Sequence, residues 1–413
     1  MLSVDEARSR VLQRLRPVPA ETVSLTEAWG RVAAAPLHAR LDNPPSDISA
    51  MDGYAVRSAD ATSGSRLHLI GEAPAGHPFG GHVAAGTCIR LFTGSAIPDG
   101  SDCVLIQENA DRLEMPDGSI DIMVREPVSV GRNIRPRGQD FTKGDLVVQP
   151  GRRLGARDIG VAAAGNHAWI TVHRRPRIAL LATGDELALP GEPIPAGGVT
   201  NSNTPMLAAL VRAAGAIPVL LPLVRDDADA IARATDGLAG IDMLVTIGGA
   251  SVGDYDLVQA ALTQRGLEVD FWKIAMRPGK PLMHGRIGAG EAGIPVLGLP
   301  GNPVSALVCG LLFLMPALQV LSGGAADGWL GGLERERAVL ATPLEANDHR
   351  ADHLRGSLTR TPGGFLVTPF PRQDSGMLRR LAASEALILR APHAAAADAG
   401  SEVEILRLDR LGI

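Results

Sequence analysis

A chain of 413 residues predicts roughly two to four domains, and 40 basic against 45 acidic side chains, net −5, argue against a general nucleic-acid binder. The cysteines are only Cys88, Cys103 and Cys309, without a CxxC pair, which argues against a disulfide framework or a thiolate metal site. Arginine supplies 37 of the 40 basic residues; the lysines are Lys143, Lys273 and Lys280, the last two within eight residues of each other.

The N-terminus has no signal-peptide apolar core. Ser3 and Glu6 have capping-box spacing, and Val4, Ala7, Val11, Leu12 and Leu15 fall on one helical face. A short helix is predicted over 26–35, ending before Pro36. Pro, Ser and Asp dominate until Tyr54, and from 66 to 150 the text reads as strands separated by Gly, Pro and Asp. A helix is predicted over 156–164, and HRRPR at 173–177 marks a boundary.

From Arg177 the rhythm changes. Apolar strands at 178–183, 217–224 and 242–247 alternate with amphipathic helices, the pattern of βαβ units on a parallel sheet covered on both faces. Residues 292–326 carry no charge, and 304–321 is long enough to span a bilayer. Pro and Gly interruptions and the strand-like start at Ile294 favour a buried strand followed by a buried helix, in a soluble, cytoplasmic protein without membrane partners. After Gly331 the pattern is β again, predicting a small barrel or sandwich. His349 and His353 lie there, four apart, and read as a solvent-exposed loop rather than a metal site.

Ligands of open α/β sheets bind beyond the carboxyl ends of the strands, so the residues following them carry the information. These are Gly184-Asp185-Glu186, Arg225-Asp226-Asp227 and the run GGASVGDYD at 248–256. A single Asp there is also an ordinary helix N-cap; acids at three junctions around a glycine-rich turn point to a phosphate-bearing substrate with Mg²⁺. In FWKIAMRPGKP (271–281), alternation puts Lys273 and Arg277 on one face, and the Pro-Gly turn brings Lys280 back toward them. Such a set suits an oxyanion, against the alternative of a solvated edge strand. LPGNP (299–303) is a further strand–turn–helix junction, suited to a second anion or to a purely structural turn.

SAMDGYAV (49–56), TG (93–94), NIRPRGQD (133–140), TGDEL (183–187), GGASVGDYD, FWKIAMRPGKP and LPGNPVSA (299–306) occur in order over nearly the whole chain. On these motifs the chain resembles the molybdopterin molybdenumtransferase (MoeA) family, to which the gephyrin E domain is similar. The resemblance implies a multidomain fold, α/β plus β: an elongated N-terminal domain in two segments, 1–50 and 139–176; a β-rich inserted domain, 51–138; a three-layer molybdopterin-binding α/β domain, 177–330; and a C-terminal β-barrel, 331–413. It implies a homodimer with the active site between protomers. The implied reaction takes adenylylated molybdopterin and molybdate, uses Mg²⁺ and releases AMP.

Residue by residue, the resemblance assigns Glu186, Asp226 and Asp256 to Mg²⁺ and phosphates. It assigns Gly248, Gly249, Ser251, Gly253, Lys273, Arg277, Lys280, Pro300, Pro303, Arg350 and Ser375 to substrate, with Arg355 a rival for Arg350. Asp52, Thr93 and Asp140 match functional positions reaching the site from the other protomer. Arg277 stands where family members commonly have Lys. The other readings are a molybdopterin adenylyltransferase, which the resemblance also offers as a partner, and a non-catalytic gephyrin-like scaffold.

Overall fold

The computed structural model describes residues 1–248, 257–288, 293–325 and 335–408. The first helix, Val4–Gln13, starts as its spacing predicts. Glu6 N donates to Ser3 Oγ and Ser3 N donates to Glu6 Oε2, while Ala7 and Val11 bury the apolar face. The helix predicted over 26–35 does not form. A single 3₁₀ turn, Leu25–Glu27, is followed by Gly30 at φ +74°, and Val32 and Ala33 then bridge to Arg153 and Val172. A left-handed glycine ends helical geometry, and long-range backbone pairing replaces local pairing.

The strand Ala20–Ser24 pairs antiparallel with Trp169–His173, and Ala28, Ala33 and Leu37 share one apolar cluster with Val148, Leu154, Ala162 and Ile170. Chain segments more than a hundred residues apart thus fill a common core. Between them lies a six-stranded sheet in the order Cys103–Ile106, Gly53–Val56, Thr87–Leu91, Arg66–Ala73, Ile120–Val124, Ala110–Glu114. Its edge strand Ala110–Glu114 has no buried residue, whereas every other strand of the sheet buries at least two.

The next sheet runs Ile217–Leu220, Arg177–Ala182, Met243–Ile247, Ile294–Leu299, Pro281–Ile287, Leu267–Lys273. Its first four strands are parallel, and the inner three of them are buried on both faces, while Ile217–Leu220 is a partly exposed edge. Ile178, Leu180 and Ala182 enter one apolar cluster, with the helix Asn203–Ala213 and the stretch Pro303–Leu321; Ala179 and Leu181 enter another, with the helices Ala228–Ala234 and Leu257–Gln264. The sheet is not parallel throughout. Pro281–Ile287 runs antiparallel to both its neighbours, because the chain between these strands is too short for a crossover helix.

Within Pro303–Leu321 an 18-residue window has mean hydropathy 2.2, and 89% of that window is buried, which identifies it as a core element. Its helical turns widen to a π segment at Gly310–Leu314, just before Pro316, whose ring and missing N–H disrupt regular α pairing.

The C-terminal strands close into a five-stranded barrel, since Ala351–Thr361 pairs with both Gly364–Pro369 and Ala386–Arg390. This 11-residue strand carries Asp352, His353 and Arg355, all buried. The exposed-loop reading therefore fails for His353, although His349 is exposed. A sixth strand, Met276–Arg277, joins the barrel through parallel pairing with Ala351 and Asp352. Leu180 is fully buried in the doubly covered sheet. Leu180→Ala is expected to cost about 2–5 kcal/mol, read as a lower urea midpoint for loss of secondary structure.

Candidate active site

The carboxyl ends of all four parallel strands open into one cleft of about 1040 Å³. Thr183 and Glu186 follow the first strand, Asp226 the second, Gly248 the third, and Pro300, Gly301, Asn302 and Pro303 the fourth. Because these strands share direction, their following turns are forced to one edge.

Gly184, at φ +153°, lies under the Glu186 carboxylate; a Cβ there would stand 2.5 Å from Glu186 Oε2. Gly248, at φ +87°, donates its N–H to Leu299 O at 3.1 Å and ties the third strand's turn to the fourth. Partial desolvation, then the charges of Glu186 and Asp185, push the Asp226 carboxyl above its usual value. Like charges so arranged favour a hard cation between them and a phosphate. Among the described residues no three Asp, Glu, His or Cys side chains form a metal-ligating group. Gly249, Ser251, Gly253 and Asp256, which the sequence assigned to this site, lie outside the described residues.

The fourth turn is less open than a bare helix N-terminus. Val304 N donates to Ser375 O at 3.1 Å, seating the Ser375 loop on the start of the helix, and Gly376 lines the cleft. Arg355, fully buried, holds that loop by donating to Asp374 O (2.9 Å), Met377 O (3.4 Å) and Gln373 Oε1 (3.3 Å).

The basic segment divides. Lys273 is in register with Pro281, so the turn returns Lys280 beside Lys273, and Pro281 lines the cleft. Both lysines are exposed, with Lys273 Nζ 5.6 Å from the Trp272 ring centre. Gly279 is required in this turn: its φ is +108°, and a Cβ would meet Cys309 Sγ at 2.5 Å. Arg277, expected to share the lysines' anion-binding face, pairs with the barrel. Nε donates to Asp352 Oδ1 at 2.8 Å, Nη2 to Asp352 Oδ2, and Nη1 reaches Asp348 Oδ2 at 3.5 Å. The buried Asp352 carboxylate requires a fixed counter-charge, and the planar guanidinium meets both of its oxygens. Arg350 donates from Nη2 to the same Asp348 at 2.8 Å and from its backbone N at 2.9 Å, and these two bonds, with the Arg277 charge a lesser cause, hold the Asp348 carboxyl well below the usual range.

Asp52 and Thr93 come together: Thr93 N and Oγ1 donate to Asp52 Oδ1 at 2.7 and 2.9 Å, lowering its pKa. Asp140 accepts from Asn43 Nδ2 at 3.1 Å. None of the three lines the cleft. Sequence reasoning missed Asn203, which is buried in the cleft wall and donates from Nδ2 to Gly301 O at 2.5 Å, bracing the fourth turn. Its Oδ1 has no hydrogen-bond partner among the described residues. The signal was TNSN (200–203), a polar run opening a helix at this same edge.

Three family models match in succession: the MoeA N-terminal region (domain I and II) over residues 2–165, a probable molybdopterin binding domain over 179–320, and the MoeA C-terminal region (domain IV) over 337–408. The molybdopterin molybdenumtransferase of Nostoc sp. is 33% identical over 395 residues, covering 94% of this chain and 88% of that protein. Molybdopterin molybdenumtransferase 2 of Mycobacterium tuberculosis is 35% identical over 401 residues, covering 94% and 95%. The crystal structure of a molybdopterin biosynthesis MoeA protein from Pyrococcus horikoshii superposes with a TM-score of 0.82 at 27% identity, covering 98% of this chain and 99% of that one. The chain belongs to the MoeA family of molybdopterin molybdenumtransferases.

The folded-state pKa of Asp226 lies above its usual 3.8, so ionising this group costs stability once the pH exceeds that value, and the cost is complete above the folded pKa. In EDTA, Asp226→Asn is expected to raise the melting temperature at pH 7 and leave it unchanged near pH 3. Scanning calorimetry at both pH values checks this; an equal shift at each would refute it.

Proposed function

We propose that this protein inserts molybdenum from molybdate into adenylylated molybdopterin in the cleft, with Mg²⁺-dependent release of AMP. The observation that carries the reading is that Glu186 and Asp226 share one cleft wall, where partial desolvation and then the charges of Glu186 and Asp185 disfavour ionisation of Asp226. Glu186 and Asp226 would hold Mg²⁺, with Asp256 a third candidate ligand. Two carboxylates with phosphate oxygens and water suit this ion, which needs no all-protein cage. When bound, Mg²⁺ supplies charge neutralisation at the phosphate being displaced.

The chain's own groups divide the remaining work. Lys273 and Lys280 offer point charges to molybdate and phosphate oxygens. The turns at Gly248 and Pro300–Pro303 let backbone approach the anion, and Asn203 keeps the latter turn in place. Arg355 fixes the loop that presents Ser375. Arg277 and Arg350 anchor the barrel around Asp348 and Asp352, so Arg277 shapes the basic turn through the barrel. Asp52, Thr93 and Asp140 we assign to the cleft of a second copy in a homodimer. A molybdopterin adenylyltransferase would supply the substrate, in the cytoplasm, a compartment in keeping with three buried, unpaired cysteines.

Purified protein given adenylylated molybdopterin and molybdate is expected to release AMP only with Mg²⁺, followed by chromatography. Glu186→Gln and Asp226→Asn should each slow release by about 100-fold or more. Absence of AMP, or unchanged rates in both variants, would sink the mechanism; consumption of ATP with metal-free pterin would identify an adenylyltransferase instead. Mixing the Asp52→Ala and Glu186→Gln proteins should restore part of the activity, because one hybrid cleft then has both residues intact. No recovery after subunit exchange would remove the shared-site assignment.

A further inference from the structure

The amino ends of the parallel strands, opposite the cleft, border a second hollow. It has a volume of about 380 Å³, and its walls include Arg31, Arg174, Arg175, Arg177, Glu21 and Gly240. Four arginines line it, and the two carboxylates nearby are already committed. Arg31, nine-tenths buried, donates to Glu21 Oε1 and to His173 O. Arg174 grips Asp242 with two bonds, at 2.7 and 2.6 Å, and Asp242 also accepts from Arg177 N at 2.7 Å.

The guanidinium groups of Arg175 and Arg177 make no ion pair among the described residues, and both side chains are exposed, so neither fork is committed to a carboxylate. Burial and, after it, the Arg175 charge lower the pKa of Arg153. The mounting is rigid. Arg175 and Arg177 flank Pro176, the chain enters from the paired strand Trp169–His173, and it leaves as the strand Arg177–Ala182. Like charges held this way favour an anion that takes both forks, and guanidinium groups bind phosphate oxygens bidentately.

We infer that this hollow is a second anion site, separate from the cleft, that binds a small molecule carrying adjacent phosphates. Two free forks separated by one residue call for two phosphoryl groups, and the volume admits a pyrophosphate-sized ligand. The parallel strands put it about 20 Å from the cleft, at some 3.3 Å per residue. The inference is independent of the reaction proposed above.

Inorganic pyrophosphate, titrated calorimetrically into the full-length protein in EDTA, provides the test. Arg175→Ala/Arg177→Ala is expected to weaken one binding event by at least about tenfold, whereas Lys273→Ala/Lys280→Ala should leave that event intact. Arg175→Lys/Arg177→Lys keeps the charge and guards against misfolding as an explanation; it should bind more weakly than the parent and more tightly than the alanine variant. No binding by the parent protein, parent-like binding by the alanine variant, or loss only in the lysine-to-alanine variant would overturn the site. Orthophosphate binding as tightly as pyrophosphate would overturn the assignment to adjacent phosphates.

Discussion

Four parallel strands, the inner three buried on both faces, are the constraint from which the rest of the molecule follows. Alternate residues of Arg177–Ala182 enter two separate apolar clusters, so the strand cannot slip by one residue without exchanging every side chain between cores. Parallel direction then assigns opposite chemistry to the two ends of the sheet. The carboxyl ends collect Glu186, Asp226, Gly248 and the Pro300–Pro303 turn; the amino ends collect Arg177 and its arginine neighbours. Acids and anion-binding turns on one side, and an arginine-rich hollow on the other, are consequences of one topology.

The antiparallel end of the same sheet does different work. Leu267–Lys273 and Pro281–Ile287 are joined by a short connection, and its middle, Met276–Arg277, is donated to the barrel. Arg277 and Asp352 secure this donation with a two-pronged ion pair whose acid is buried. Breaking one partner would leave a buried charge uncompensated, so the contact specifies one docking of barrel against cleft. The Ser375 loop makes a second attachment, held by Arg355 on one side and by Val304 N on the other. The basic turn and the cleft wall are thus both indexed to the barrel. At 277 a planar guanidinium is the group that fits, because it meets both oxygens of Asp352 where a point-charge ammonium would not.

Periodicity in the sequence was enough to reveal the doubly wound α/β sheet, its edge of acids and glycines, and the core nature of the uncharged helix. These features are written locally: apolar runs of strand length, amphipathic repeats, and Gly at turns with positive φ. The short helix expected over 26–35 fails because Gly30 and long-range bridges override local preference. The strand Ala351–Thr361 was obscured because Asp352, His353 and Arg355 are charged or polar and look exposed until their partners are known. Asn203 escaped notice because its value lies in a contact with Gly301, almost a hundred residues away.

The sequence by itself determined the family resemblance, the order of elements, and which strand ends carry acids, glycines and lysines. Those properties depend on residue type and spacing along one chain. Tertiary structure alone decided that Arg277 serves the barrel while Lys273 and Lys280 remain exposed, that Arg355 clamps a loop, and that arginines from distant segments share one hollow. The reason is physical: a charge is defined by its residue, but whether it is free depends on which counter-charge the fold brings within hydrogen-bonding distance.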